Sequence, residues 1–397
     1  MMRWAPYRLP RVSVCPCTPL TLSDTESPRD PTISNEDGRI HMKVLSIVGA
    51  RPQFVKLAPV AEAFADSAHT HVIVHTGQHY DSNMSDVFFA DLRIPDPDVH
   101  LGVGSGSHGV QTGSMLSVLD AVLDEHRPDW VLVYGDTNST LAGALSAVKM
   151  HLPVAHLEAG LRSFNRAMPE EHNRVLTDHA ADLLLAPTQV AMDHLRDEGL
   201  AARSVLVGDV MTDVCFRVRD AVRDTPPALP AGLEPGSYVV ATIHRAENTD
   251  RPERLRAITE SMAGLDVPVL LLAHPRLVAR CHEFGIDLAR PGSSLRTAEP
   301  LPYPGMVAAV LHAAGVVTDS GGLQKEAYLL GRPCTTLRSE TEWVETLEDG
   351  WNVLADDLTG LADLAARPAP AAVQRPVYGD GKAAHAVVSE LAATHSR

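Results

Sequence analysis

Short apolar runs recur along the chain, and most end abruptly in polar or ionisable groups. In the first half they lie at Lys43–Val48, 71–75, Trp130–Tyr134, 153–157, 183–187 and 205–208. Between 134 and 153, Ala and Leu recur at helical spacing over about one helix's length, which predicts a strand–helix–strand unit. The region 42–208 therefore reads as one doubly wound α/β domain with a parallel sheet. A proline-rich stretch from Pro226-Pro227 to Pro235-Gly236 marks a boundary. Beyond it the alternation resumes at 238–243, 267–273 and 315–317, the last leading into a helix at 323–330. The predicted architecture is a pair of Rossmann-like domains, 42–208 and 209–379. Ligands of parallel sheets bind outside the carboxyl ends of the strands, so the residues at those ends carry the candidate chemistry.

Those ends are unusually rich in charge. Asp136 follows the run 130–134, and Glu158 follows the run 153–157. Glu170-Glu171 opens a helix whose first residue is Pro169. A helix dipole favours acids there without any further role. It does not account for their concentration with Arg162, Arg166 and Arg174 beside two other rim acids. After the first strand comes Gly49-Ala50-Arg51-Pro52-Gln53-Phe54-Val55-Lys56, a glycine turn entering a helix and a natural anion site. Arg51 and Lys56 stand in or just beyond that turn, where cations are unfavourable unless an anion offsets them. Neither a Walker loop nor a dinucleotide fingerprint is present. In the second half, Thr318-Asp319-Ser320-Gly321-Gly322 joins a strand to a helix, and adjacent glycines there let a diphosphate approach exposed amides. Ser320 is equally explained as a helix cap. Glu326 lies one turn into that helix, within reach of a ribose diol. His244 and His274 each follow a strand, and many such histidines only bond neighbouring loops. With no metal-ligand spacing in the chain, His244 reads as an acid/base or phosphate-neutralising group. The stretch 101–113, rich in Gly and Ser and fed by no strand, reads as a flexible loop.

Composition narrows the classes. A net charge of -16 argues against nucleic acid or an anionic membrane as partner. Five cysteines without a regular framework suggest a reducing, cytoplasmic setting. No run approaches the length of a membrane span. Residues 1–41 lack periodicity and read as a disordered extension, or as sequence upstream of a start at Met42. Their Cys15-x-Cys17 has no second pair to complete a metal site.

The motifs together carry a resemblance. Gly49-Ala50-Arg51-Pro52, Thr76-Gly77-Gln78-His79, Gly135-Asp136-Thr137, Glu158-Ala159-Gly160-Leu161-Arg162, Pro169-Glu170-Glu171, His244-Arg245-x-Glu247-Asn248 and Thr318-Asp319-Ser320-Gly321-Gly322-Leu323-Gln324 follow in order. From Met42 to Tyr378-Gly379-Asp380-Gly381 and the last helix, the chain resembles the non-hydrolysing UDP-N-acetylglucosamine 2-epimerases. The resemblance implies a glycosyltransferase-B-like pair of domains with the substrate in the cleft, and a terminal helix, 380–397, that crosses back onto the first domain. It implies interconversion of UDP-N-acetylglucosamine and its manno isomer by elimination and re-addition of UDP, with no cofactor or metal. A homodimer is expected, with a UDP-sugar as the small-molecule partner. By similarity Asp136, Glu158 and Glu170 stand near the sugar and His244 faces the diphosphate. Arg51 and Lys56 touch the phosphate side. Ser320, Gly321, Gly322 and Glu326 hold diphosphate and ribose, Arg338 is a further contact, and Leu301 and Met306 lie on the uracil side.

Some positions depart from the family's pattern. Ala50, Ala246 and Met306 replace residues common elsewhere, and Gln78–Asp81 and Thr341–Glu345 look like an archaeal or diverged branch. That branch includes epimerases of UDP-diacetamido-uronic acids. The changed segment after Gln78 also leads to the expectation that a second substrate molecule is no obligatory activator. A retaining glycosyltransferase, a hydrolysing epimerase and a catalytically silent sugar-nucleotide sensor are the competing classes.

Overall fold

The computed structural model describes residues 41–78, 94–227, 229–290 and 292–396. The N-terminal extension with Cys15 and Cys17, and residues His79–Asp81 directly after Gln78, lie outside the described residues.

The first lobe is built on a seven-stranded, wholly parallel sheet in the order β3-β2-β1-β4-β5-β6-β7. Its strands are β1 Lys43–Val48, β2 Thr70–His75, β3 Val99–His100, β4 Trp130–Tyr134, β5 Val154–Leu157, β6 Leu183–Ala186 and β7 Ser204–Leu206. Strands buried on both faces read as continuous apolar runs. In β1, Val44 and Val48 enter the core on one face while Leu45 and Ile47 enter the core on the other. The helices are α1 Arg51–Ala65, α2 His108–His126, α3 Asn138–Lys149, α4 Pro169–Ala180, α5 Gln189–Asp197 and α6 Val210–Val222.

The second lobe carries a six-stranded parallel sheet, β10-β9-β8-β11-β12-β13. Its strands are β8 Val239–Thr242, β9 Val269–Leu272, β10 Leu295–Ala298, β11 Gly315–Thr318, β12 Cys334–Thr336 and β13 Asn352–Leu354. Its helices are α7 Ala246–Thr249, α8 Pro252–Ala263, α9 Pro275–Glu283, α10 Tyr303–Leu311, α11 Gly321–Leu329 and α12 Leu361–Ala365, and α13 Ala383–His395 ends the chain. This is the expected glycosyltransferase-B-like pairing of Rossmann-like lobes. In each sheet the strand order reverses at one point, between β1 and β4 and between β8 and β11. Ligand crevices open at such switch points. The turns found there are those at Gly49, Gly135-Asp136, His244 and Ser320.

Helix α6 joins the lobes. Its Val210 and Val214 enter the core shared with β1, whereas Cys215 enters the core around β11. The buried carboxylate of Asp209, just before it, forms an ion pair with the buried ammonium of Lys325 on α11. Lys325 also lies 4.1 Å from the centre of the Trp343 ring, a cation–π contact. Helix α13 returns to the first lobe, where Ala384, Val387 and Leu391 pack in the core with Phe54 and Val44. Its first turn is held by Asp213, whose carboxylate accepts from the amides of Ala383 (3.0 Å) and Ala384 (2.8 Å).

One local expectation fails and one shifts its bounds. The stretch 101–113 is irregular only as far as Ser107, and helix α2 begins at His108. Met115, Leu119 and Leu123, four residues apart and fully buried, fix the helix from its far end. The Gln111 amide then donates to the carbonyls of Gln78 (3.0 Å) and Gly104 (2.9 Å), anchoring the glycine-rich start. The strand expected at 205–208 is Ser204–Leu206, after which the chain turns into the inter-lobe segment. Among the described residues no helix is long and apolar enough to cross a membrane.

Candidate active site

Adjacent strands β4 and β5 lead into Asp136 and Glu158, and two largely buried cations lock these acids in place. Lys56, from α1, pairs with Glu158. Arg174, from α4, pairs with Asp136 and donates to Glu171 at 3.0 Å. Burial alone would lower Lys56, but Glu158 and Asp136 outweigh it and hold the ammonium above its ordinary value. Arg174 is raised in the same way, burial being outweighed by Asp136 and Glu171. The backbone is strained at this rim. Glu158 itself has φ +71°, a left-handed conformation that costs a non-glycine residue about 1–3 kcal/mol. Gly135 has φ +60°, and a Cβ there would sit 3.1 Å from both Glu158 Oε2 and Lys56 Nζ. The positive φ favours glycine here, and a larger residue would also crowd the two charged groups.

The acids of α4 divide their work. Glu171 is buried and accepts from the Ser163 amide (3.0 Å), the Ser163 hydroxyl (2.8 Å) and the Phe164 amide (2.9 Å). Burial would raise its carboxyl, but these bonds and Arg174 hold it below the usual range. Glu171 therefore shapes the loop before α4. Glu170, one residue earlier, is only partly buried and has no hydrogen bond or ion pair among the described residues.

The glycine turn after β1 differs from a phosphate loop. The amides of Gly49 and Ala50 donate to Gln53 Oε1 at 2.8 and 3.0 Å, and the Gln53 amide donates to the Tyr134 carbonyl at 2.9 Å. The helix thus caps itself, and Gln53 ties the β1 turn to the end of β4. Arg51 stands exposed in the first turn of α1.

In the second lobe, Asp319 organises the turn after β11. It is fully buried and accepts from the amides of His244 (3.1 Å) and Arg245 (3.0 Å) and from the Asn248 side chain (3.0 Å). His244 Nδ1 lies 3.0 Å from it while the rest of the ring is half exposed. Burial would raise Asp319, but His244, Asn248 and Arg245 hold it below the usual carboxylate range. Ser320 caps α11 by accepting from the Leu323 amide. A Cβ on Gly321 would meet Glu342 Oε1 at 2.2 Å, and Glu342 is fixed by Arg338 at 2.9 Å. Gly321 is thus required for this close approach. Gly322 faces solvent beside it. Glu326 lies deeper in α11 beside Tyr303, and burial pushes its carboxyl up to about 7, against the pull of Tyr303 and Lys325. Leu301 and Met306 pack partly buried on the core of this lobe.

The structure thus gathers Asp136, Glu158 and Lys56 in one cluster, and His244, Ser320 and Gly321 in another. Arg338 lines a pocket of about 160 Å³ together with Arg162, Met168 and Arg174, so segments of both lobes face each other there. Glu170 is not tied into either cluster. Sequence reasoning missed Gln53, Asp319 as the organiser of the His244 loop, Glu342, and the division between Glu170 and Glu171. Asp319 stood inside a recognised motif, which was the available signal. For Gln53 the link to Tyr134 spans 81 residues, whereas Glu171 and Glu342 have near neighbours as partners and only the fold of the intervening loops brings them together.

A family profile described as UDP-N-acetylglucosamine 2-epimerase matches residues 62–392. A UDP-2,3-diacetamido-2,3-dideoxy-D-glucuronate 2-epimerase from Pseudomonas aeruginosa is 44% identical over 361 residues, 88% of this chain and 99% of that one. A UDP-N-acetylglucosamine 2-epimerase from Methanocaldococcus jannaschii is 41% identical over 80% of this chain and 89% of its own length. The crystal structure of the Neisseria meningitidis UDP-GlcNAc 2-epimerase bound to UDP-GlcNAc superposes with a TM-score of 0.76 at 28% identity, covering 88% of this chain and 99% of that one. With the fold, the two clusters and these likenesses together, the chain belongs to the UDP-N-acetylglucosamine 2-epimerase family.

Proposed function

We propose that the protein inverts C2 of UDP-N-acetylglucosamine to give UDP-N-acetylmannosamine, without hydrolysis. A rim carboxylate takes the proton from C2 and the C1–O bond to UDP breaks, leaving a C1–C2 double bond, a protonated carboxyl and free UDP in the site. UDP then returns to C1, and a proton returns to C2 from the other face. The C2 proton is not acidic, so departure of UDP accompanies or leads its removal and positive character develops at C1. Asp136 and Glu158 stabilise that charge, and His244, Arg51 and the α11 turn stabilise the departing diphosphate. The observation that carries this reading is the pair of carboxylates fixed by Lys56 and Arg174 at the ends of neighbouring strands. Incubation with UDP-N-acetylglucosamine in deuterated water tests it. Deuterium at C2 without net UDP release is expected; release of UDP and free sugar points to the hydrolysing reaction, and no exchange removes the proposal for this sugar.

One observation favours a second reading. The Pseudomonas aeruginosa relative, named for a diacetamido-glucuronate, is 44% identical and spans nearly its whole length. The same exchange experiment with the UDP-diacetamido-uronate distinguishes the sugars by kcat/KM.

Glu326 gives the site a pH dependence. A ribose diol donates to a carboxylate, so UDP binding favours the ionised form. Because burial holds the free carboxyl at about 7, UDP affinity is expected to rise between pH 6 and 8 in calorimetric titrations, and E326Q is expected to remove the part of that rise due to this group. The sign for stability is opposite. The folded value lies above the ordinary carboxyl value of 4.5, so ionisation costs the fold stability that is intact below about pH 4.5 and fully lost above about pH 7.

A further inference from the structure

Strand β5 contains one polar residue, His156, where an apolar side chain is expected, and it is completely buried. A buried ring without partners is costly, yet both of its nitrogens are used. Nε2 lies 2.7 Å from the Gly135 carbonyl oxygen, and Nδ1 lies 2.6 Å from Asp178 Oδ1. Both partners are acceptors: Gly135 offers a carbonyl oxygen, and Asp178 is a carboxylate already paired with the Arg162 guanidinium and the Gly160 amide. The ring therefore donates from both nitrogens. Asp178 in turn accepts from the Gly160 amide at 3.1 Å and from Arg162 at 2.8 Å. Arg162 closes the network with a two-pronged contact to Glu198 at 2.7 and 2.8 Å.

These bonds join the segments that bear the rim acids. The Gly135 carbonyl belongs to the peptide bond that leads into Asp136. Gly160 ends the strained turn that begins at Glu158. Asp178 lies on α4, which also carries Arg174, the cation on Asp136. None of these hub atoms lies in the cleft, so His156 does not meet the substrate.

We propose that His156 is a positioning residue: by holding the Gly135–Asp136 peptide and linking it through Asp178 to the Glu158–Gly160 turn, it keeps Asp136 and Glu158 at one separation during the reaction. This rests on the reading of the rim acids given above. Misplacement of reacting groups by about 1 Å from such a remote change costs about 10²-fold in rate. H156Q, which has one donor nitrogen in place of two opposed ones, is expected to lower kcat by about that factor. KM and the Kd for UDP are expected to stay within about threefold, since the diphosphate grip lies in the other lobe. A residue needed only for folding would instead lower the amount of folded protein and leave kcat per folded molecule intact. Should H156Q not fold, D178N, which retains the bond to Gly135 but weakens its anchor, is expected to give the same split with a smaller loss of kcat.

A second readout does not depend on activity. In protein labelled with ¹⁵N-histidine, two slowly exchanging ring N–H protons on a single buried histidine, lost in H156Q, support the hub. A kcat within about threefold of wild type in folded H156Q, or a single ring N–H on His156, overturns it. A wild-type protein that exchanges no C2 proton on any UDP-2-acetamido sugar defeats the functional reading instead, and the two-donor signature then decides the hub by itself.

Discussion

Glu158→Gln is expected to lower kcat for C2 inversion by about 10²–10⁴-fold while leaving UDP affinity within a few-fold. The substitution keeps the shape of the side chain but removes its charge, and Lys56 then stands buried without its carboxylate. The unusual φ of +71° at this position is unaffected, because Gln has the same backbone preferences as Glu here. The loss therefore reports chemistry at the sugar and not a rearranged turn. In the proposed site UDP is held by the Ser320–Gly322 turn, the His244 loop and Arg51, none of which is the residue changed here. Steady-state rates and calorimetry with UDP check both halves. Activity within tenfold of wild type, or a parallel collapse of UDP binding, contradicts the assignment of Glu158 to the sugar.

Lys325→Met is expected to destabilise the protein by about 3–5 kcal/mol, because it strands the Asp209 carboxylate, which is 1% exposed in its side chain. Asp209 also caps α6 by accepting from the Met211 amide at 2.8 Å, and Asn caps as well as Asp. The double variant D209N/K325M is accordingly expected to recover much of the loss, since the unpaired charge is gone while the cap remains. Denaturant unfolding of the single and double variants measures the coupling. Simple additivity of the two changes would show that the pair does not act as a unit.

The sheet ends were legible because apolar runs fix where parallel strands stop, and the ligand crevice follows from that alone. Asp136, Glu158, His244 and Ser320 were found in this way. Helix α2 was not, because its start at His108 is dictated by Met115, Leu119 and Leu123 further on, while the local composition near Gly109 and Gly113 argues for a loop. Partnerships across long stretches of chain were invisible as well. Nothing near Lys325 announces Asp209, 116 residues away, and His156 looked like any strand residue until Asp178 and the Gly135 carbonyl were placed on either side of it. The pair Glu170-Glu171 illustrates a different limit. Both acids suit a helix start, so only the positions of Ser163 and Phe164 reveal which one clamps the loop and which stays free.

The return of α13 to the first lobe bears on how the chain is made. Ala384, Val387 and Leu391 belong to the same buried cluster as Val44 and Phe54, so the first lobe lacks part of its interior until the second lobe has been translated. A nascent chain emerging from the ribosome would hold that lobe as an open, incomplete body through translation of the entire second lobe. Only emergence of α13 closes it.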